Sequence, residues 1–82
     1  EEETVPLLCE NDMIGVVIDR FGQEVNVRKA DDMHFRARLH VAVSGQFYGW
    51  LCGLGEKVEI IEPAEMREKY VTYLQKIQNK YS

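Results

Sequence analysis

Apolar and polar residues alternate with period two over four stretches of the chain and recur at helical spacing over three others. The longest alternation sets Phe35, Ala37, Leu39, Val41 and Val43 against His34, Arg36, Arg38 and His40. Successive side chains of a strand point to opposite faces, so this stretch predicts a strand with one buried and one wet side. Val5, Leu7 and Cys9 alternate with Pro6, Leu8 and Glu10 in a shorter first strand. Pro6 has no N–H to donate, so full pairing is expected only beyond it, with residues 1–4 a solvated, frayed tail. Val25 and Val27 mark a strand within Glu24–Ala30, and Val58 and Ile60 carry the last one. Between the second and third strands, Asp31 and Asp32 predict a hairpin turn, because both side chains can bond nearby backbone groups.

The helical stretches fall between these strands. Met13, Val16, Val17 and Phe21, flanked by Ile14 and Ile18, predict a helix capped by Asn11 or Asp12 and ended by Gly22. Phe47, Trp50, Leu51 and Leu54 predict a second, capped by Ser44 and stopped by Gly55 in the left-handed region, with Trp50 in the core. Pro63 suits the start of a third, where its missing N–H is not needed. Met66, Tyr70, Tyr73, Leu74, Ile77 and Tyr81 share one face of that helix.

The element order, strand–helix–strand–strand–helix–strand–helix, points to an α+β fold. Its first six elements match a ferredoxin-like βαββαβ two-layer sandwich. Right-handed crossovers place both core helices on one side of an antiparallel sheet of order 4-1-3-2. The domain spans residues 5–62, and residues 63–82 form an appended helix. That helix is expected either to pack on the open side of the sheet or to extend toward a partner.

At 82 residues the chain supports one domain with a modest core. The net charge of −4 argues against non-specific attraction to nucleic acid, although a local basic patch can still bind anions. Cys9 and Cys52 lack metal-ligand spacing, and one disulfide would be sparse for a small secreted domain. Two reduced, buried thiols and a cytoplasmic location are expected. There is no apolar run long enough to span a bilayer and no signal-peptide pattern. The opening Glu1-Glu2-Glu3 without a preceding Met reads as a piece of a longer protein.

Candidate chemistry concentrates on the wet side of the long strand. His34, Arg36, Arg38 and His40, joined by Asn26 and Arg28 from the neighbouring strand, would line the open face. They form either an anion- or partner-binding surface, since arginine forks onto phosphate and carboxylate, or a solvated face. In the second case the arginines would pair with Glu24, Glu59 or glutamates of the last helix. The two histidines are too far apart along the strand to share a metal, and no cofactor is called for. Gly45, Gly49 and Gly53 recur along one side of the second helix. Such a stripe serves either close packing inside the domain or subunit contact, and Tyr73 and Tyr81 of the last helix offer a second contact surface. Nothing supports catalysis: Asp31-Asp32 is a turn, Ser44 a cap without a histidine relay, and Gly53-Leu54-Gly55 lacks the lysine of a phosphate loop.

One family carries these features in succession. Arg20-Phe21-Gly22, Asp31-Asp32-Met33-His34-Phe35, Trp50-Leu51 with Gly55, Val58-Glu59-Ile60-Ile61-Glu62-Pro63 and Met66-Arg67 together resemble the C-terminal extension, WCX, of bacterial WYL-domain transcriptional regulators. The resemblance covers Val5 to about Tyr81. It implies a ferredoxin-like tail associated with dimerisation and with relaying ligand occupancy to DNA binding. Its implied partners are a second copy, the WYL domain of the same or a neighbouring subunit, and an anionic or oligonucleotide effector in the full-length protein. The helix-turn-helix and the WYL motif are not in this sequence, so operator binding by the chain itself is not expected, nor is membrane contact. The alternative expectation is a free-standing ACT-type domain that binds a small molecule. An acylphosphatase-like enzyme is a remote third, because the loop and Arg/Asn arrangement of that family is missing.

Overall fold

The computed structural model describes residues 2–82. The chain runs β1 (Glu2–Glu10), α1 (Ile14–Phe21), β2 (Asn26–Lys29), β3 (His34–Ala42), α2 (Gly45–Gly53), β4 (Val58–Ile60) and α3 (Ala64–Asn79), with short 3-10 turns at Asn11–Met13 and Gly55–Lys57. The four strands form one antiparallel sheet in the order β2-β3-β1-β4, which is the expected 4-1-3-2 counted from the opposite edge. It is an α+β architecture with three helices.

The long alternation sets the register. Phe35, Ala37, Leu39 and Val41 are buried while Arg36, Arg38 and His40 are exposed. Val5, Leu7 and Cys9 of β1 lie opposite Leu39, Ala37 and Phe35 and are fully buried. Ile60, Val17, Phe47, Tyr48, Leu51 and Met66 complete the core. Each large aliphatic or aromatic side chain so buried contributes about 1.5–3 kcal/mol, so Leu7→Ala is expected to cost about 2–5 kcal/mol.

The expected tail is corrected over residues 2–4, while Glu1 lies outside the described residues. Glu2, Glu3 and Thr4 continue β1 opposite Ala42, Val41 and His40. The reason is local to Pro6. A residue's N–H and C=O point to the same side of an antiparallel strand, and the Pro6 carbonyl accepts from Ile61 N–H on the β4 side at 3.0 Å. The missing donor therefore falls on that side and leaves the β1–β3 ladder intact.

Helix ends also differ in part from expectation. Asn11 and Asp12 do not cap α1; they form the 3-10 turn before it, where the Asn11 side chain donates to the Asp32 carbonyl at 3.0 Å. The hairpin turn is as expected: Asp31 accepts from Met33 N–H at 2.8 Å. Ser44 caps α2 through Phe47 N–H, and Gly55 follows that helix with φ +64°. Cys9 is buried but Cys52 is exposed, so only one of the two free thiols lies inside.

The final helix takes neither expected course. It lies beside α2, where Tyr48 meets Tyr70 and Tyr73 with ring centroids 5.4 and 4.9 Å apart. Met66 seals the near end of α3 against the core, and the Arg67 guanidinium donates to the Ile60 carbonyl and to Glu59 at the β4 edge. Tyr48 decides this placement: it is buried on the side of α2 turned toward α3 and gives the tyrosines an intrachain partner. The outer side of the sheet is left to the strands' polar residues.

Candidate functional site

Two adjacent rungs of the sheet build the site. Arg28 of β2 stands directly opposite Arg36 of β3, and Asn26 stands opposite Arg38 one rung along. On the far side of β3, Leu8 and Pro6 of β1 continue the same two rungs, and Glu59 of β4 ends the first. Alternation from the buried Phe35, Ala37 and Leu39 forces Arg36 and Arg38 outward, and the hairpin register brings Arg28 beside them. Like charges directly opposite one another on antiparallel strands repel.

No ion pair among the described residues relieves that repulsion. Among the described residues, Arg28, Arg36 and Arg38 form no salt bridge, while Glu59 is taken by Arg67 at 2.9 Å. The anticipated pairing with Glu24, Glu59 or α3 glutamates is therefore absent among these residues. The three arginines, Asn26, Pro6, Ala37 and Glu62 enclose an open concavity of about 300 Å³. The half-buried Pro6 forms its apolar floor, Ala37 lies beneath with its side chain turned into the core, and Glu62 supplies a carboxylate on its rim.

The histidines stand apart from this cluster, at opposite ends of β3. The His34 ring meets the Asp31 carboxylate at 2.9 Å, and that bond, together with Met33 N–H, holds the Asp31 carboxyl below its ordinary value. His40 Nδ1 meets Thr4 Oγ1 at 3.1 Å. All five residues expected to line the open face fall on its outward side: Arg28, Arg36 and Arg38 come together at the concavity, while His34 and His40 lie beyond it, bonded to Asp31 and Thr4. Pro6 and Glu62 were not anticipated. Pro6 follows from the β1 register, whereas the position of Glu62 depends on the Ile61–Pro6 bond, which has no local sequence signal.

The second candidate surface also changes character. A Cβ placed on Gly45, Gly49 or Gly53 would meet nothing within 4 Å, and all three are exposed. Close packing inside the domain is thereby ruled out, and the stripe is free surface on α2. Tyr73 is occupied by Tyr48, while Tyr81 is 88% exposed. Trp50 is half-buried, edge-on to Phe21 at 5.3 Å and stacked on Phe47.

The described residues hold no group of three His, Cys, Asp or Glu side chains placed to bind a metal, and no helix is long and apolar enough to cross a membrane. Cys9 is buried with its thiol pushed up to about 11, a state unsuited to nucleophilic work. What the site offers is fixed positive charge around a small apolar floor. No curated protein and no solved structure matches the chain. The family model of the WCX domain matches residues 1–78, nearly the whole chain, and the protein belongs to the WCX domain family.

Proposed function

We propose that the chain is a non-catalytic regulatory and self-association module of a bacterial WYL-type transcriptional regulator, with a ferredoxin-like fold that relays ligand sensing to DNA binding. Membership of a regulatory domain family supports the class, and the four-stranded sheet with helices behind it is consistent with the fold. The role of the outer face rests on one observation: Arg28, Arg36 and Arg38 share adjacent rungs with no carboxylate partner among the described residues. Clustered guanidinium groups left unpaired are poised for a carboxylate or phosphate brought by another molecule.

In this reading the arginine face meets an anionic effector, or an acidic surface of the WYL domain in the same or a neighbouring subunit. The smooth α2 stripe at Gly45, Gly49 and Gly53, with the exposed Tyr81 at the end of the chain, serves contact between copies in a cytoplasmic homodimer. The test has two arms. Light scattering on the 82-residue chain should give a dimer that Gly49→Leu disrupts. In the full-length regulator, Arg36→Ala with Arg38→Ala should weaken the effector's influence on operator binding. A strict monomer that binds a metabolite would favour the free-standing ACT-like alternative, and an unchanged effector response at low salt would remove the arginine face from the relay.

A further inference from the structure

The shape and charge of the concavity narrow the kind of anion it takes. Its volume of about 300 Å³ is at the lower end of the range for small-molecule sites. Arg28 and Arg36 converge on one rung, a natural fork for a single phosphate, and Arg38 with Asn26 flanks it on the next. The rim carboxylate of Glu62 makes no ion pair among the described residues. A carboxylate there repels a run of successive phosphates but accepts a hydrogen bond from a hydroxyl or amino group. Among the described residues the concavity's lining holds no ring on which a base could stack, and the two imidazoles of the same face, His34 and His40, are already bonded to Asp31 and Thr4. The outward positions around the concavity are Pro6, Leu8, Asn26, Arg28, Arg36 and Arg38, whereas single-stranded nucleic acid is ordinarily held by aromatic stacking as well as by charge.

We infer that this cradle binds a small phosphate monoester whose body carries a hydroxyl or amino group. The phosphate lies between Arg28 and Arg36, the body rests on Pro6, and its donor group reaches Glu62. This rests on the reading of the outer face as an anion-binding surface and names the ligand class for it.

Calorimetric titration of the 82-residue chain at low ionic strength tests the inference, with ribose 5-phosphate, inorganic phosphate and an oligothymidylate as probes. Ribose 5-phosphate should bind most tightly, and Arg28→Ala or Arg36→Ala should weaken it about tenfold or more, as expected for hydrogen bonds to a charged group. Glu62→Gln is the diagnostic variant. It should weaken ribose 5-phosphate while strengthening inorganic phosphate on the order of threefold, since a repelling charge on the rim of the same concavity is removed. Circular dichroism confirms that each variant is folded. Tightest binding by the oligothymidylate, equal strengthening of all three probes by Glu62→Gln, or no binding of ribose 5-phosphate to the folded chain would overturn the inference. A chain that dimerises and relays an effector but ignores ribose 5-phosphate defeats this ligand class alone. An effector response untouched by Arg36→Ala with Arg38→Ala defeats the underlying reading.

Discussion

Replacing Arg28 by glutamate should make the protein more stable while destroying the proposed anion cradle. Arg28 and Arg36 stand directly opposite on β2 and β3, both exposed and neither paired among the described residues. Cross-strand charge pairs of this kind are worth about 0.2–1 kcal/mol in either direction. Exchanging repulsion for attraction, discounted for solvent screening, gives a gain of about 0.5–1 kcal/mol. For a domain of 82 residues that raises Tm by about 3–6 °C. Thermal unfolding followed by circular dichroism at low salt measures it, with Arg28→Gln as the control that removes repulsion without adding attraction. The ranking expected is Glu above Gln above Arg, collapsing at about 1 M salt, where the screening length falls to about 3 Å. A Glu variant no more stable than the Gln variant at low salt would show that Arg36 is already satisfied, and the tension assigned to this rung would be wrong.

The packing of α3 gives a second prediction. Tyr48→Ala removes the ring that meets Tyr70 and Tyr73; it should cost about 3 kcal/mol, with hydrogen-exchange protection lost first in Ala64–Asn79. Protection retained there would mean that Met66 and Arg67 suffice to hold the helix. The thiols should separate cleanly: at pH about 8 iodoacetamide should label Cys52 and spare Cys9, whose burial pushes its thiol up to about 11. Both should react in denaturant, and two fast thiols in the folded chain would contradict the β1 register. Acid stability should depend on Asp31. Its carboxyl is held below the ordinary 3.8 by the His34 ring first and Met33 N–H second, so the unfolded chain binds that proton more readily. The contribution is complete above the unfolded value and is lost as pH falls through the lower folded one. Asp31→Asn should therefore be less stable than the parent in mildly acidic solution and equal to it once both carboxyl states are protonated, as read from Tm across the acid range.

Much of this was legible because β3 is unambiguous. Four apolar residues at strict period two, Phe35, Ala37, Leu39 and Val41, fix which side of that strand is buried, and a one-residue slip would expose all of them. Two right-handed crossovers and the Asp31-Asp32 turn then leave few strand orders to consider. The arginine cluster followed from that register. Its lack of ion-pair partners among the described residues did not, because Glu59 was free to pair with either side until Arg67 of α3 claimed it. The place of α3 was hidden in Tyr48, which apolar spacing alone did not single out between Phe47 and Leu51. The glycine stripe misled for the opposite reason: a residue without a Cβ carries no sign of whether its surroundings are crowded or open. Pro6 suggested a break in β1, and its effect depended on which neighbour its backbone faced, a fact fixed only by the sheet.

On the proposed reading Arg28, Arg36 and Arg38, without ion-pair partners among the described residues, act together as one anion site on the outer face. Side-chain Nε–Hε resonances of the five arginines, followed by NMR during titration with inorganic phosphate, put this to the test. Arg28, Arg36 and Arg38 should shift together along one binding curve, while Arg67, engaged with Glu59 and the Ile60 carbonyl, and Arg20, beside the Phe21 ring, stay in place. Equal response by all five, or three face arginines already rigid and unmoved by phosphate, would contradict it.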